Sequence, residues 1–115
     1  MTHKLLVFHA LNRRFLEFDV KTDDFLSFCQ LIVNGFVEQT HDFFLRNEGI
    51  VALINEEGVI KNYRESLPIR IGSYGGFLMT LRGNVIFTSL NDEGDDWVGL
   101  SKEQVDAIKK YYTED

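Results

Sequence analysis

The segment Ile50-Val-Ala-Leu-Ile-Asn55 constrains the fold most. Side chains alternate across a strand, so five consecutive apolar residues present apolar surface on both faces and mark a central strand. Neighbours for it are easily found. Residues 4–9 read as a short apolar strand, and residues 13–20 alternate apolar with polar. Ala10-Leu-Asn12 suits a hairpin connection, so the chain is expected to open with an antiparallel pair. Phe36-Val-Glu-Gln-Thr40 and Val85-Ile-Phe-Thr-Ser-Leu90 read as further strands, the second entered through a Gly83-Asn84 turn. Asn55-Glu-Glu-Gly58 is turn chemistry, with Gly58 free to take a positive φ.

Between these runs the period changes. Phe25, Phe28, Cys29, Ile32 and Val33 fall on one helical face, with Thr22-Asp23-Asp24 as N-terminal signals and Asn34-Gly35 as a stop in which glycine takes the left-handed conformation. At the other end, Ser101-Lys-Glu-Gln104 is a capping box, followed by Val105, Ile108 and Tyr112 at helical spacing. The expected fold class is α+β: a mostly antiparallel, twisted sheet of about five strands, with helices at 23–34 and 102–112 packed on one face. One domain is expected to span residues 1–115.

Composition excludes several functions. The 115 residues carry 12 Lys and Arg against 18 Asp and Glu, a net charge of −6. That balance argues against polymeric nucleic acid and anionic membranes as partners, since both need a positive field. No apolar run approaches the roughly 20 residues of a membrane-spanning helix. The chain opens without a signal-peptide pattern, which points to a cytoplasmic location. A lone Cys29 and three scattered histidines, His3, His9 and His41, make neither a disulfide nor a zinc site. No cofactor, metal or catalytic constellation is expected. Cys29, on the apolar helical face, reads as a small buried hydrophobe. Asp92, Glu93, Asp95 and Asp96 crowd around Gly94 without the EF-hand spacing and read as a solvated turn.

Charge is unevenly distributed. Residues 59–85 hold Lys61, Arg64, Arg70 and Arg82 against Glu65 alone, a net +3, which leaves −9 for the remainder. Within this basic stretch lies Ile71-Gly-Ser-Tyr-Gly-Gly-Phe77. Arginine forks suit phosphate, glycines let backbone amides approach an anion, and a tyrosine can stack on a base. The candidate ligand site is therefore Arg64, Arg70 and Arg82 for anion pairing, Tyr74 for stacking and Ser73 for a hydrogen bond. Its ligand would be small and anionic, of nucleotide type. The alternative is a flexible loop whose arginines pair with surplus acids. Tyr111-Tyr112, with Phe43-Phe44 in a loop, could form an exposed apolar patch for a homodimer or a host protein.

The order of the motifs carries a resemblance. Leu31-Ile-Val-Asn-Gly-Phe-Val-Glu38, Ile54-Asn-Glu-Glu-Gly58, Gly83-Asn-Val-Ile-Phe-Thr88 and Trp97-Val-Gly-Leu-Ser-Lys-Glu-Gln104 follow one another over residues 25–110. This series resembles a functionally uncharacterised family of small proteins from Firmicutes, their phages and mobile elements. That family reads V-G-G-x-[IV]-E, N-E-E-G, G-x-[VI]-[VI]-[FI] and L-[ST]-x-E-Q in the same order. Asn34 stands where the family has its first glycine, and Leu67-Pro68 leads into Ile69-Arg70 where the family tends to place an asparagine. The resemblance implies a phage-associated setting in the bacterial host's cytoplasm. It suits a non-enzymatic module that sequesters a nucleotide-type immune signal, or an inhibitor that binds a host protein through aromatic and acidic surfaces.

Overall fold

The computed structural model describes residues 2–113. Strands β1 (Thr2–His9) and β2 (Arg14–Lys21) form the opening antiparallel hairpin, in unbroken register from Thr2 opposite Lys21 to His9 opposite Arg14. After a 3-10 turn comes helix α1 (Phe25–Val33), then strand β3 (Val37–Thr40), helix α2 (Phe43–Arg46) and strand β4 (Ile50–Asn55). Strands β5 (Glu65–Ile71) and β6 (Phe77–Arg82) pair only with each other. Strand β7 (Val85–Leu90), the short β8 (Trp97–Val98) and helix α3 (Lys102–Thr113) close the chain.

The expected single sheet of about five strands with both helices on one face does not hold. The described residues form eight strands: six in one antiparallel sheet of order β2-β1-β7-β4-β3 with β8 also on β7, and a separate two-stranded β5–β6 sheet. The long helices lie on opposite faces. Leu5, Val7, Leu53 and Ile86 pack against Phe25, Cys29 and Val33 of α1. Their strand neighbours Leu6, Phe8, Ala52 and Phe87 face the other way, onto Val105 and Ile108 of α3 and onto Leu67, Ile69 and Leu81 of the small sheet. The physical reason is period two. Strands β1, β4 and β7 carry unbroken apolar runs at Leu5–Phe8, Ile50–Ile54 and Val85–Phe87, so each face of the sheet needs its own cover. Burying each of these large side chains is worth about 1.5–3 kcal/mol, and a one-sided cover would leave half of them wet.

Local chemistry sets the element ends. Gln104 N donates to Ser101 Oγ at 3.1 Å and Ser101 N to Gln104 Oε1 at 2.8 Å, so the capping box forms. At α1 the details differ from expectation. Asp23 and Asp24 make no side-chain cap, and the left-handed residue is Asn34 (φ 62°). Phe43 and Phe44 lie on a helix, not a loop, because the Asp42 carboxylate accepts from Phe44 N at 2.9 Å and Leu45 N at 3.1 Å.

Candidate functional site

The basic stretch folds as the β5–β6 hairpin, which spreads the five expected site residues along its length. Arg64 and Arg82 stand at the base, where Glu65 is opposite Arg82. Ser73 and Tyr74 form the tip, and Arg70 lies just below it, opposite Leu78. Seven residues of β5 at about 3.3 Å each hold the two ends roughly 20 Å apart. Within one chain, then, the five do not share a pocket.

Nor are the arginines consumed by surplus acid. Among the described residues, Arg64, Arg70 and Arg82 form no ion pair within 4.0 Å; Lys61 alone of the segment does, with Glu57 at 3.7 Å. The Arg82 guanidinium donates to the Tyr63 carbonyl at 3.1 Å, and the Arg64 carbonyl accepts from Gly83 N at 2.8 Å. The arginine-acid pairing alternative therefore fails for these three side chains.

The hairpin base opens onto a cleft of about 290 Å³, where four segments meet. Leu11 and His9 come from the β1–β2 turn, Ile32 to Asn34 from the end of α1, Tyr63 and Arg64 from the approach to β5, and Gly83-Asn84 from the β6–β7 turn. Asparagines fix this meeting point. Asn84 accepts from Ala10 N at 2.9 Å and donates to the Ile32 carbonyl at 2.9 Å, tying the hairpin turn to the helix end. Asn34 Nδ2 donates to the Tyr63 hydroxyl at 3.3 Å. Gly83 has φ 79°, and a β-carbon there would approach Tyr63 Cδ2 at 3.0 Å, so the bare turn lets the ring lie against the backbone.

The chemistry of the cleft is donor-rich and partly apolar. Arg64 offers a planar fork, the Tyr63 hydroxyl is a further donor, and Leu11, 69 % exposed, supplies an apolar wall. Helix carbonyls that would repel an anion are engaged: Asn84 takes that of Ile32, and Asn55 Nδ2 takes those of Val33 and Asn34 at 3.0 and 3.1 Å. Sequence reading reached Arg64 through its charge but missed Tyr63, Asn34 and Asn84 as cleft residues. The two asparagines had registered only as turn and cap signals, and nothing local marks Tyr63.

The other candidates resolve into structure. Cys29 is fully buried, and desolvation pushes its thiol up to about 12, which makes it a poor nucleophile. The Asp92–Asp96 loop is organised by Asn91, whose Oδ1 accepts from Asp95 N at 3.0 Å and whose Nδ2 donates to Asp95 Oδ1 at 2.9 Å. Among the described residues no cluster of three or more histidine, cysteine or acidic side chains could hold a metal. His3 Nδ1 accepts from Gly99 N at 3.0 Å, tying β1 to the segment after β8, and His9 Nδ1 accepts from Asn12 N at 3.1 Å within the hairpin turn, both structural roles. No helix of the described residues is long and apolar enough to cross a membrane. The expected aromatic patch is partly assembled: Phe44 lies 6.5 Å from Tyr111, ring to ring, and remains 48 % exposed.

A family model described as Domain of unknown function (DUF3846) matches residues 12–113, and the chain belongs to that family. No curated protein and no solved structure matches it.

Proposed function

We propose that this member of the family is a non-enzymatic binding module that holds a small anionic, nucleotide-type ligand at the base of the β5–β6 hairpin. The observation that carries the reading is Arg64: an exposed guanidinium on the rim of a 290 Å³ cleft, with no carboxylate within ion-pair distance among the described residues. An unpaired arginine fork beside an aromatic ring and an apolar wall suits a phosphate carried on a flat, stacking group. The −9 charge of the rest of the chain opposes a polymeric anion while leaving a single phosphate free to enter. The resemblance to proteins of phages and mobile elements supports a role in the host cytoplasm, where sequestering a nucleotide immune signal would blunt a defence response.

The test is thermal unfolding with a panel of linear and cyclic nucleotides. At a hundredfold excess over Kd, a true ligand stabilises the fold by about 2.7 kcal/mol. Arg64→Ala, an exposed position, should abolish that shift without lowering the unliganded midpoint. A panel that leaves the midpoint unmoved removes the proposal.

A further inference from the structure

Among the described residues β2, β3, β5 and β6 each present a free edge, besides the two-residue β8, and the first three are protected against pairing. On β5, Arg70 N is taken by Asp42 Oδ1 at 2.6 Å, and the Glu65 and Ser66 carbonyls accept from Arg13 at 2.6 and 3.0 Å. Pro68 of the same strand has no N–H to offer. Edge strand β2 carries Arg14, Glu17, Asp19 and Lys21, and β3 is four residues long with Glu38 within it. Charges, proline and short length are the ordinary means by which an edge is kept from pairing. Strand β6 has none of them: Phe77-Leu-Met-Thr-Leu81 precedes its single charge, Arg82, and only its β5 side is paired.

This open edge continues into an apolar surface. Tyr74 is 89 % exposed, Phe77 70 %, Leu78 61 % and Met79 37 %. The hairpin tip draws Phe44 into the same patch, since a β-carbon on Gly75 would lie 3.2 Å from the Phe44 ring. Phe77 and Met79 lie on one face of β6 and Leu78 on the other, so these five side chains flank the open edge on both faces with roughly 500 Å² in all, against the ~800 Å² that each partner of a stable interface buries. The paired backbone edge, with Ser73 and Thr80, supplies much of the difference.

We propose that β6 pairs antiparallel with β6 of a second copy, and that this pairing completes the ligand cleft. Two antiparallel strands related by a two-fold axis must have that axis normal to their sheet, so equivalent residues face the same side. With the axis at Met79, Phe77 falls in register opposite Leu81 of the partner subunit, whose side chain stays in its own core, and Leu78 falls opposite Thr80 of the partner subunit. Arg82 then falls opposite Gly76 of the partner subunit, whose missing side chain leaves it room, and no two like charges are opposed. A centre at Thr80 would instead set Arg82 against Leu78 of the partner subunit.

The antiparallel arrangement lays the tip of each hairpin beside the base of the other. Ser73 and Tyr74 of the partner subunit then adjoin Arg64, Arg82 and the Gly83-Asn84 turn. Residues about 20 Å apart within one chain are brought together between two, with the partner's Tyr74 as a stacking lid on the cleft. The shared-site half of the proposal rests on the ligand reading above, whereas the strand pairing does not.

Two measurements separate them. Cysteines are placed singly at Leu78, Met79 and Thr80 and oxidised; native Cys29 is buried and contributes no link. A disulfide-linked dimer is expected, at least about fivefold more abundant for Met79→Cys than for its neighbours, because only the axial position meets its own copy within disulfide reach. Sedimentation should show a dimer that the doubly exposed Leu78→Lys/Thr80→Lys variant weakens at least about tenfold. Next, co-expressed Arg64→Ala and Tyr74→Ala chains, each defective alone, should regain about a quarter of the wild-type nucleotide sites. Random pairing makes half the dimers mixed, with one intact site in each. The probe is whichever nucleoside monophosphate most stabilises the wild type. A monomer, a dimer indifferent to the lysine pair, or a mixture that regains no binding overturns the proposal. A Met79→Cys chain that links while the wild type binds no nucleotide upholds the pairing and refutes the ligand reading.

Discussion

Gly35 and Asn55 are in contact across the end of α1: a β-carbon on Gly35 would sit 2.6 Å from Asn55 Nδ2. That amide donates to the Val33 and Asn34 carbonyls at 3.0 and 3.1 Å, and its Oδ1 accepts from Glu57 N at 2.7 Å. One side chain from the end of the interior strand β4 thus closes the helix C-terminus and starts the next turn. Asn55 is 4 % exposed, so truncation leaves these backbone groups without their partner. Asn55→Ala should cost about 2–3 kcal/mol in urea unfolding. Gly35→Ala should cost a comparable amount, since the new methyl displaces the same amide. If either variant unfolds at the wild-type midpoint, the contact carries no stability.

Asp42 is the second junction. Its buried carboxylate accepts from Phe44 N, Leu45 N, Arg70 N and the Tyr111 hydroxyl, all between 2.6 and 3.1 Å. It therefore caps α2, closes the edge of β5 and anchors α3. Asp42→Ala strands four donors and should cost about 2–4 kcal/mol. Asp42→Asn keeps one acceptor oxygen and should fall between. A loss under about 0.5 kcal/mol for the alanine variant would show that the donors find water instead.

Stability should fall on the alkaline side. Burial pushes Cys29 from 9.0 up to about 12 and Tyr111 from 10.0 up to about 12, Tyr111 being further raised by its bond to Asp42. Tyr112 is raised as well, chiefly by burial, and its hydroxyl has no hydrogen-bond partner among the described residues. All three are neutral in both states below pH 9, and their contribution is then fully present. Above pH 9 the unfolded chain ionises first, so the contribution is lost as pH rises toward the folded values. Urea midpoints should decline from pH 9 to 12, and Cys29→Ala should flatten the early part of that decline. At pH 8 a thiol reagent should label Cys29 only after denaturant is added. Rapid labelling of the native protein would contradict its burial.

Some of the candidate site was legible and some was not. Arg64 could be found because charge segregation is a property of linear sequence. The cleft could not, because Leu11, Asn34, Tyr63 and Asn84 are far apart in the chain and meet only where two turns and a helix end converge. The tip residues Ser73 and Tyr74 lie within twelve positions of Arg64, yet a straight strand holds them at the far end. Nearness in sequence was a poor guide there, because an extended chain advances about 3.3 Å per residue.

What the sequence alone determined was local. The opening hairpin, the 25–33 face of α1, the Ser101–Gln104 cap and the double-sided burial of β4 follow from period, turn residues and caps, which act over a few positions. The two apolar faces of β4 required two covers, yet the sequence reading placed both helices on one face. Tertiary structure decided which elements supply those covers. It sent α1 to one face and α3 with the β5–β6 hairpin to the other, and it sealed the β5 edge with Asp42 and Arg13 while leaving β6 open. Those outcomes depend on contacts between residues dozens of positions apart, where hydrophobic burial rewards any complementary face and only the whole packing selects among them.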